Sequence, residues 1–225
     1  VLIPQLTLSE AGKPIVWLEI VWSLILLNQA TAEHISSVLS QEFLDKLEAI
    51  LLLTGNLLIP TKLKLLNIEG VARYLLKEYN GPRIPSSLIR DTNVVQTKDK
   101  MEMVDSVIDT LKNLIRSENY LQTRINTGLG FFIDAECLLD KKCNPLPLNR
   151  PPSTEALRIA VMAYDYHDMT RGRVEPTGIN VLASRLLEAQ GYKVLPVSYT
   201  EFKPRDKLVH RVQYLETKLK EVVNV

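Results

Sequence analysis

The sequence predicts an α+β fold, with a helical repeat-like region followed by a small α/β domain. Apolar residues recur at helical spacing through the first half of the chain, and past Ser117 this spacing changes to the alternation typical of strands. In the last third, an apolar run, a helix-like segment and a second apolar run follow one another in the order of a β-α-β unit. We therefore expect a helical region over residues 1–118 and a sheet domain over residues 119–225.

The helical region is predicted to contain short helices in tandem. Three follow from the apolar stripes between residues 14 and 53, and Thr31 and Ser40 stand ahead of two of them as candidate N-caps. Two more helices are expected over residues 62–66 and 69–79. Each helix has one apolar stripe that a neighbouring helix must cover, which indicates a repeat-like stack.

The sheet domain is expected to follow a polar connector, residues 83–100, and a helix that begins near Met103. Two strands are predicted over residues 120–126 and 128–134, so that Asp134 ends the second strand. A turn-rich, proline-rich loop comes next. The remaining elements are a strand from Leu157, a helix around Leu182, a strand after Gly191 and a terminal amphipathic helix from Leu208.

Composition narrows the classes of partner. Basic side chains (27) and acidic side chains (26) nearly cancel, so a nucleic-acid surface must be a local patch. Cys137 and Cys143 are too few for a four-ligand zinc site or a disulfide framework, which favours free thiols. No apolar run reaches the ~18 residues that span a bilayer, so we expect no membrane association.

Four separated blocks stand out, at residues 20–24 (IVWSL), 64–69 (KLLNIE), 78–82 (EYNGP) and 130–137 (GFFIDAEC). In this order they resemble the FAST kinase family of mitochondrial RNA-binding proteins, and residues 157–222 resemble the RAP domain at the end of those proteins. The resemblance implies a protein of the mitochondrial matrix that binds single-stranded parts of mitochondrial transcripts. It also implies a role in transcript stability or processing, with other RNA-processing proteins as further partners.

Phosphoryl transfer is not expected in spite of the family name. A kinase needs a Gly-rich phosphate loop, a lysine on a strand, a catalytic-loop aspartate and a metal-binding aspartate, and the sequence shows none of these signatures. Gly128 and Gly130 precede a predicted strand, whereas a phosphate loop follows one.

The acidic residues of the sheet domain are candidates for a metal site. The RAP domain resembles the PD-(D/E)XK nucleases, in which two carboxylates on neighbouring strands hold Mg²⁺ and a lysine helps to orient the attacking water. One alignment makes Asp134 the first carboxylate. It places Ala163 where the second carboxylate would stand and Asp165 at the position of the lysine. Another uses the E-x-K spacing of Glu201 and Lys203. The candidate catalytic residues are Asp134, Asp165, His167, Glu201 and Lys203, with Asp134 and Asp165 as metal ligands.

Three functional hypotheses remain open at this point. We favour a degenerate nuclease-like fold that binds RNA without cutting it, because Ala163 replaces a ligand. The alternatives are a Mg²⁺-dependent endoribonuclease and a protein-interaction module without RNA affinity. Structural roles also compete with each site role: Asp134 is a candidate cap for a short helix over residues 135–137, and Glu201 with Lys203 is a candidate surface pair.

The candidate RNA-binding residues are cations in predicted loops or strand ends, with tyrosines between them. Flexible cations in loops can reach phosphates, and aromatic rings can stack on unpaired bases. Two arginines flank Gly172, where a turn can lie close to an RNA backbone. The candidates are Lys141, Lys142, Arg150, Arg171, Arg173, Lys203, Arg205, Lys207, Tyr166 and Tyr199.

Overall fold

The fold has the α+β composition that the sequence predicts. The computed structural model describes residues 7–54, 58–85, 96–115, 118–149 and 156–224. The chain forms two compact units, Val1–Val94 with Thr127–Phe131, and Val95–Asn126 with Phe132–Val225. The predicted boundary at residue 118 differs from this division, because the helix before it buries its apolar stripe against the sheet. Most of the predicted connector, residues 86–95, lies outside the described part of the chain.

The first unit is helical. Thr31 caps the helix Ala32–Leu39 as expected, since its hydroxyl accepts a hydrogen bond from the His34 N–H (3.3 Å) and the His34 ring accepts one from the Thr31 N–H (3.1 Å). Ser40 likewise accepts from the Phe43 N–H (3.3 Å). The helices are α1 (Leu8–Ala11), α2 (Pro14–Leu26), α3 (Ala32–Leu39), α4 (Gln41–Thr54) and α5 (Leu58–Gly70), which continues into a π-helical turn (Val71–Leu75).

The two short helices expected over residues 62–66 and 69–79 are one continuous helical run. Asn67, which lies between them in sequence, does not interrupt the helix because its side chain is satisfied elsewhere. Its Nδ2 donates to the Leu129 carbonyl (2.6 Å) and its Oδ1 accepts from the Trp22 indole (3.0 Å). The repeat-like character of this unit stays a prediction.

A buried carboxylate holds the end of this helical run. Glu69 is 1% exposed and accepts hydrogen bonds from Arg73 (3.2 Å), Arg83 (3.2 Å) and the Ile84 N–H (3.4 Å). Arg83 also donates to the Ala72 carbonyl (3.2 Å), so the segment after the helix is tied back onto it.

We expect Glu69→Gln to lower the free energy of unfolding by about 2 kcal/mol, because hydrogen bonds to a charged partner become bonds to a neutral amide. Urea denaturation measures this loss. Glu42→Gln is the matched control, since Glu42 is exposed and pairs with its helical neighbour Lys46 on the surface, and its loss is expected to be undetectable. Equal destabilisation by the two variants would contradict the assignment.

The second unit contains the sheet. Its helices are α6 (Lys98–Leu114), α7 (Gly178–Glu188) and α8 (Leu208–Asn224). Its strands are β1 (Leu121–Asn126), β2 (Phe132–Leu139), β3 (Pro145–Leu146), β4 (Leu157–Tyr164) and β5 (Tyr192–Ser198). Strand order is β1-β2-β4-β5, with β3 beside β2. The β2 pairs with β1 and β4 are antiparallel, and β4 pairs with β5 in parallel through the α7 crossover, as the β-α-β pattern predicts.

Helices cover both faces of the sheet. The side chains of Cys137, Ile159 and Val197 lie in one core with the apolar stripe of α6 and with Leu215 and Leu219 of α8. Helix α7 packs against β5, and its Ser184 hydroxyl meets that of Tyr164 at 3.3 Å. Among the described residues, no helix has the length and apolar character needed to cross a membrane.

Candidate functional site

The carboxyl ends of β4 and β5 form one edge of the sheet. Tyr164 and Ser198 are register partners, and the Tyr199 N–H donates to the Tyr164 carbonyl (2.8 Å), which extends the pairing by one residue. The loops that follow, residues 165–177 and 199–207, therefore begin side by side. Such strand ends are the usual place for sites in open α/β sheets.

Asp134 lies inside β2 and neither ends that strand nor caps a helix. Residues 128–131 form the turn before β2, where Gly130 has φ +89°. This turn shifts the strand to Phe132–Leu139. The ladder between β2 and β4 ends at Ala135 and Val161, and the Asp134 carboxylate accepts the next N–H, from Ala163 (2.8 Å). Asp134 therefore replaces a backbone acceptor where the two strands separate.

Burial makes Asp134 a weaker acid than an exposed aspartate. Asp134 is only 2% exposed, and desolvation raises the pKa of its carboxyl from 3.8 to about 6. The positive charge of Lys100 and the Ala163 N–H oppose the rise, and the negative charge of Asp168 adds to it. A substantial part of the Asp134 population therefore takes up a proton between pH 5 and 7.

Asp165 and Asp168 cap each other across a short 3₁₀ turn, Tyr166–Asp168. The Asp165 carboxylate accepts from the N–H groups of His167 (2.7 Å) and Asp168 (3.1 Å), and the Asp168 carboxylate accepts from the Asp165 N–H (3.1 Å). The Thr97 hydroxyl also donates to Asp165 (3.3 Å). These carboxylates therefore shape the loop after β4.

Lys100 is the site residue that the sequence prediction missed. Its ammonium donates to the Asp168 carboxylate (2.7 Å) and to the Ala163 carbonyl, and it lies 5.6 Å from the centre of the Tyr164 ring. Residues 83–100 were predicted to form a connector, and this prediction was wrong for residues 98–100, because α6 begins at Lys98. Thr97 was the available signal, since its hydroxyl caps α6 by accepting from the Lys100 N–H (3.1 Å).

The structure separates the other candidate catalytic residues. Glu201 follows the end of β5 and turns toward α8, where its carboxylate accepts from Tyr214 (2.8 Å) and pairs with Lys218 (3.3 Å). Lys203 instead donates to the Tyr199 carbonyl (2.7 Å), so the expected E-x-K pair on one strand face does not form. His167 is exposed and contacts the Tyr166 ring edge-on (5.7 Å).

Asp134 and Asp165 do not belong to a cluster of three metal-ligating side chains in the described part of the chain. Within the ranges that the structure describes, no three His, Cys, Asp or Glu side chains are arranged to hold a metal ion. Ala163, which stands at the position of the second carboxylate, is fully buried in the core under α6 and α8. The alignment through Ala163 therefore lacks its second carboxylate, and Asp165 stands where the lysine would be.

Two tyrosines and a lysine lie together at the same edge. Tyr166 is 54% exposed, and its ring lies 5.8 Å from that of Tyr199 at an angle of 78°. The Lys203 ammonium is 5.6 Å from the centre of the Tyr199 ring. Tyr199 is partly exposed. Two accessible aromatic rings with a cation beside them can accept unpaired bases and their phosphates.

Arg171 and Arg173 stand at the tip of the loop after β4. The loop is closed at its base, where Met169 bridges Pro176 and the Thr170 N–H donates to the Glu175 carbonyl (2.7 Å). Gly172 has φ +96° and no atom near the place of a Cβ, so the tip is open to solvent. We define the carboxyl-edge surface as Tyr166, Arg171, Arg173, Tyr199, Lys203, Arg205 and Lys207.

The remaining candidates do not belong to this surface. Lys141 and Lys142 are exposed in the turn after β2. Because β2 and β4 are antiparallel and Leu139 pairs with Leu157, this turn lies at the opposite end of the sheet. The length of β4 puts roughly 20–25 Å between the two ends. Arg150 lies outside the described residues.

Comparison with known proteins identifies the family. Residues 2–48 match the family model for FAST kinase-like protein, subdomain 1, and residues 62–147 match subdomain 2. The chain belongs to the FAST kinase family. It is similar to FAST kinase domain-containing protein 4 from Rattus norvegicus and from Homo sapiens, each 25% identical over 94% of this chain and 35% of the relative. The same protein from Mus musculus is 27% identical over 71% of this chain and 28% of the relative.

The chain spans about a third of the length of these curated relatives. Family membership confirms the resemblance that the helical blocks indicate. The RAP domain expected over residues 157–222 stays a prediction.

Proposed function

We propose that the carboxyl-edge surface binds single-stranded RNA, and that the chain is the RNA-binding part of a protein that stabilises or processes mitochondrial transcripts in the matrix. The observation that carries the proposal is the combination of one exposed and one partly exposed aromatic ring with unpaired cations at one sheet edge. Among the described residues, none of Arg171, Arg173, Arg205 and Lys207 has an ion-pair partner. Membership of the FAST kinase family supports the choice of RNA as the partner.

The charges around the surface support phosphate binding. Two acidic side chains near it are neutralised from within the protein, Asp168 by Lys100 and Glu201 by Lys218, whereas Glu175 and Asp206 are exposed in the same two loops. Because Arg171 and Arg173 form no ion pair among the described residues, their charge is available for phosphate, to which guanidinium groups bind with two parallel hydrogen bonds. Bases released from their stack would then meet the rings of Tyr166 and Tyr199.

We also propose that the sheet domain is a degenerate nuclease-like RAP domain. Asp134 on β2 faces its antiparallel neighbour β4, which is the strand pairing that the nuclease resemblance implies. Ala163 removes the second carboxylate. Incubation of RNA with the protein and Mg²⁺ or Mn²⁺ should leave the RNA intact, whereas cleavage that Asp134→Ala abolishes would replace this proposal with the endoribonuclease.

The double variant Arg171→Ala with Arg173→Ala tests the RNA surface. We expect the affinity for fluorescein-labelled oligouridine, measured by fluorescence anisotropy, to fall about tenfold or more at low salt, because two phosphate contacts are lost. The slope of log K against log salt concentration should also decrease, by about 1.4 if each arginine neutralises one phosphate of a single strand.

The matched control is Lys141→Ala with Lys142→Ala, which removes the same charge from the opposite end of the sheet. We expect this variant to keep most of the affinity and the salt slope. Equal losses for the two double variants would show a non-specific charge effect. Unchanged binding by the arginine variant would remove the loop tip from the RNA surface, and a chain with no RNA affinity would favour the protein-interaction module.

A further inference from the structure

We call the place where β2 and β4 separate, at Asp134 and Ala163, the strand mouth. It contains oxygen atoms of the kind that bind hard divalent cations. The Asp168 carboxylate and the Ala163 carbonyl both accept from the Lys100 ammonium, and the Asp134 carboxylate, bonded to the Ala163 N–H, is near enough for the charge of Lys100 to lower its pKa. Carboxylate and carbonyl oxygens are the ligands that Mg²⁺ prefers in proteins. The Lys100 ammonium already contacts two of these groups.

The Mg²⁺ that the nuclease resemblance implies does not fit this donor set. Both oxygens of Asp168 are engaged, Oδ2 by Lys100 (2.7 Å) and the Asp165 N–H (3.1 Å), and Oδ1 by Asn180 (3.2 Å). Both oxygens of Asp165 are engaged by its own loop and by Thr97. A metal ion would have to displace a lysine whose side chain is only 16% exposed.

Lys100 has the contacts that an internal cation needs. It binds one carboxylate and one backbone carbonyl, and the face of the Tyr164 ring lies beneath it. Its positive charge is the largest influence that favours the ionised form of Asp134. Its backbone is fixed because it lies in the first turn of α6, where Thr97 caps the helix.

We infer that the Lys100 ammonium takes the place of the divalent cation, so that the sheet domain is built to work without a metal. This inference rests on the proposed nuclease-like character of the domain. It extends the proposal by explaining how an acidic strand mouth can lie next to an RNA-binding surface, since a fixed cation neutralises the mouth. It also follows that RNA affinity at constant ionic strength is the same with Mg²⁺ and with EDTA.

The experiment titrates the full chain with MnCl₂ in the absence of RNA. Isothermal titration calorimetry measures Mn²⁺ binding, and the melting temperature is measured with and without MnCl₂. We expect no specific Mn²⁺ binding by the wild-type protein. Lys100→Ala vacates the oxygen ligands, so this variant should bind Mn²⁺ at least about tenfold more tightly than wild type and melt at a higher temperature when Mn²⁺ is present. Lys100→Arg keeps a cation at the site and is expected to resemble wild type.

Two results would overturn the inference: Mn²⁺ binding by wild type that matches Lys100→Ala, or no gain of Mn²⁺ binding in Lys100→Ala. Should Lys100→Ala be unfolded without metal, circular dichroism in MnCl₂ becomes the readout, with recovery of the helical signal as support and no recovery as refutation. Because the assay contains no RNA, its outcome is independent of the RNA-binding proposal, which the arginine variants test separately.

Discussion

Asp134→Asn is expected to raise the free energy of unfolding at pH 7.5 by about 3 kcal/mol. The wild-type carboxyl is buried, and its pKa rises from 3.8 in the unfolded chain to about 6 in the fold. At pH 7.5 it is ionised in both states, so the folded protein bears the full desolvation cost of the charge. Asparagine has the same shape and no charge, and its carbonyl oxygen can still accept the Ala163 N–H.

The sign of the effect depends on pH in a defined way. Because the native pKa of Asp134 is above the unfolded value, the favourable contribution of the protonated form is complete below about pH 4 and is lost as the pH rises through about 6. The advantage of Asp134→Asn should therefore shrink to about 1 kcal/mol at pH 4.5. Urea denaturation at the two pH values measures both gains.

Asp140→Asn provides a control of opposite sign. Asp140 is partly exposed, and hydrogen bonds from the side chain and backbone of Asn144 lower the pKa of its carboxyl. Neutralising it should reduce stability at pH 7.5, since a lowered native pKa stabilises the fold above the unfolded pKa. A stability of Asp134→Asn at or below that of wild type at pH 7.5 would contradict the burial argument for Asp134.

The elements of the fold could be predicted wherever the signal was local. Thr31 and Ser40 were recognised as caps because a short polar side chain ahead of an apolar stripe has few other roles. The β-α-β order followed from two apolar runs around a helix. The start of β2 was predicted too early. Residues 128–131 form a turn that belongs to the helical unit, where the Leu129 carbonyl accepts from Asn67.

The site could be predicted only in part, because many of its contacts join residues that are far apart in sequence. The exposed positions of Tyr166, Arg171 and Arg173 followed from their place after a strand. Lys100 could not be assigned, since its partners Ala163 and Asp168 are more than sixty residues away. The separate position of Lys141 and Lys142 required the direction of β2, which periodicity does not give.

The other large effect is expected from the double variant Tyr166→Ala with Tyr199→Ala. Stacking of a base on an aromatic ring contributes about 1–3 kcal/mol, so loss of both rings should weaken binding to single-stranded RNA by at least about 30-fold. The two ring planes are nearly perpendicular (78°), which lets each ring receive its own base. Fluorescence anisotropy with labelled oligouridine and oligoadenosine measures the loss.

The variant Tyr166→Phe with Tyr199→Phe is the control that isolates stacking, because phenylalanine keeps the ring and removes only the hydroxyl. We expect it to bind RNA almost as tightly as wild type. Neither double variant removes a charge, so the salt dependence of binding should stay the same, in contrast to the arginine variant. A full loss of affinity in the phenylalanine variant would instead assign the contribution to the hydroxyl groups, and unchanged affinity in the alanine variant would exclude the tyrosine pair from the RNA surface.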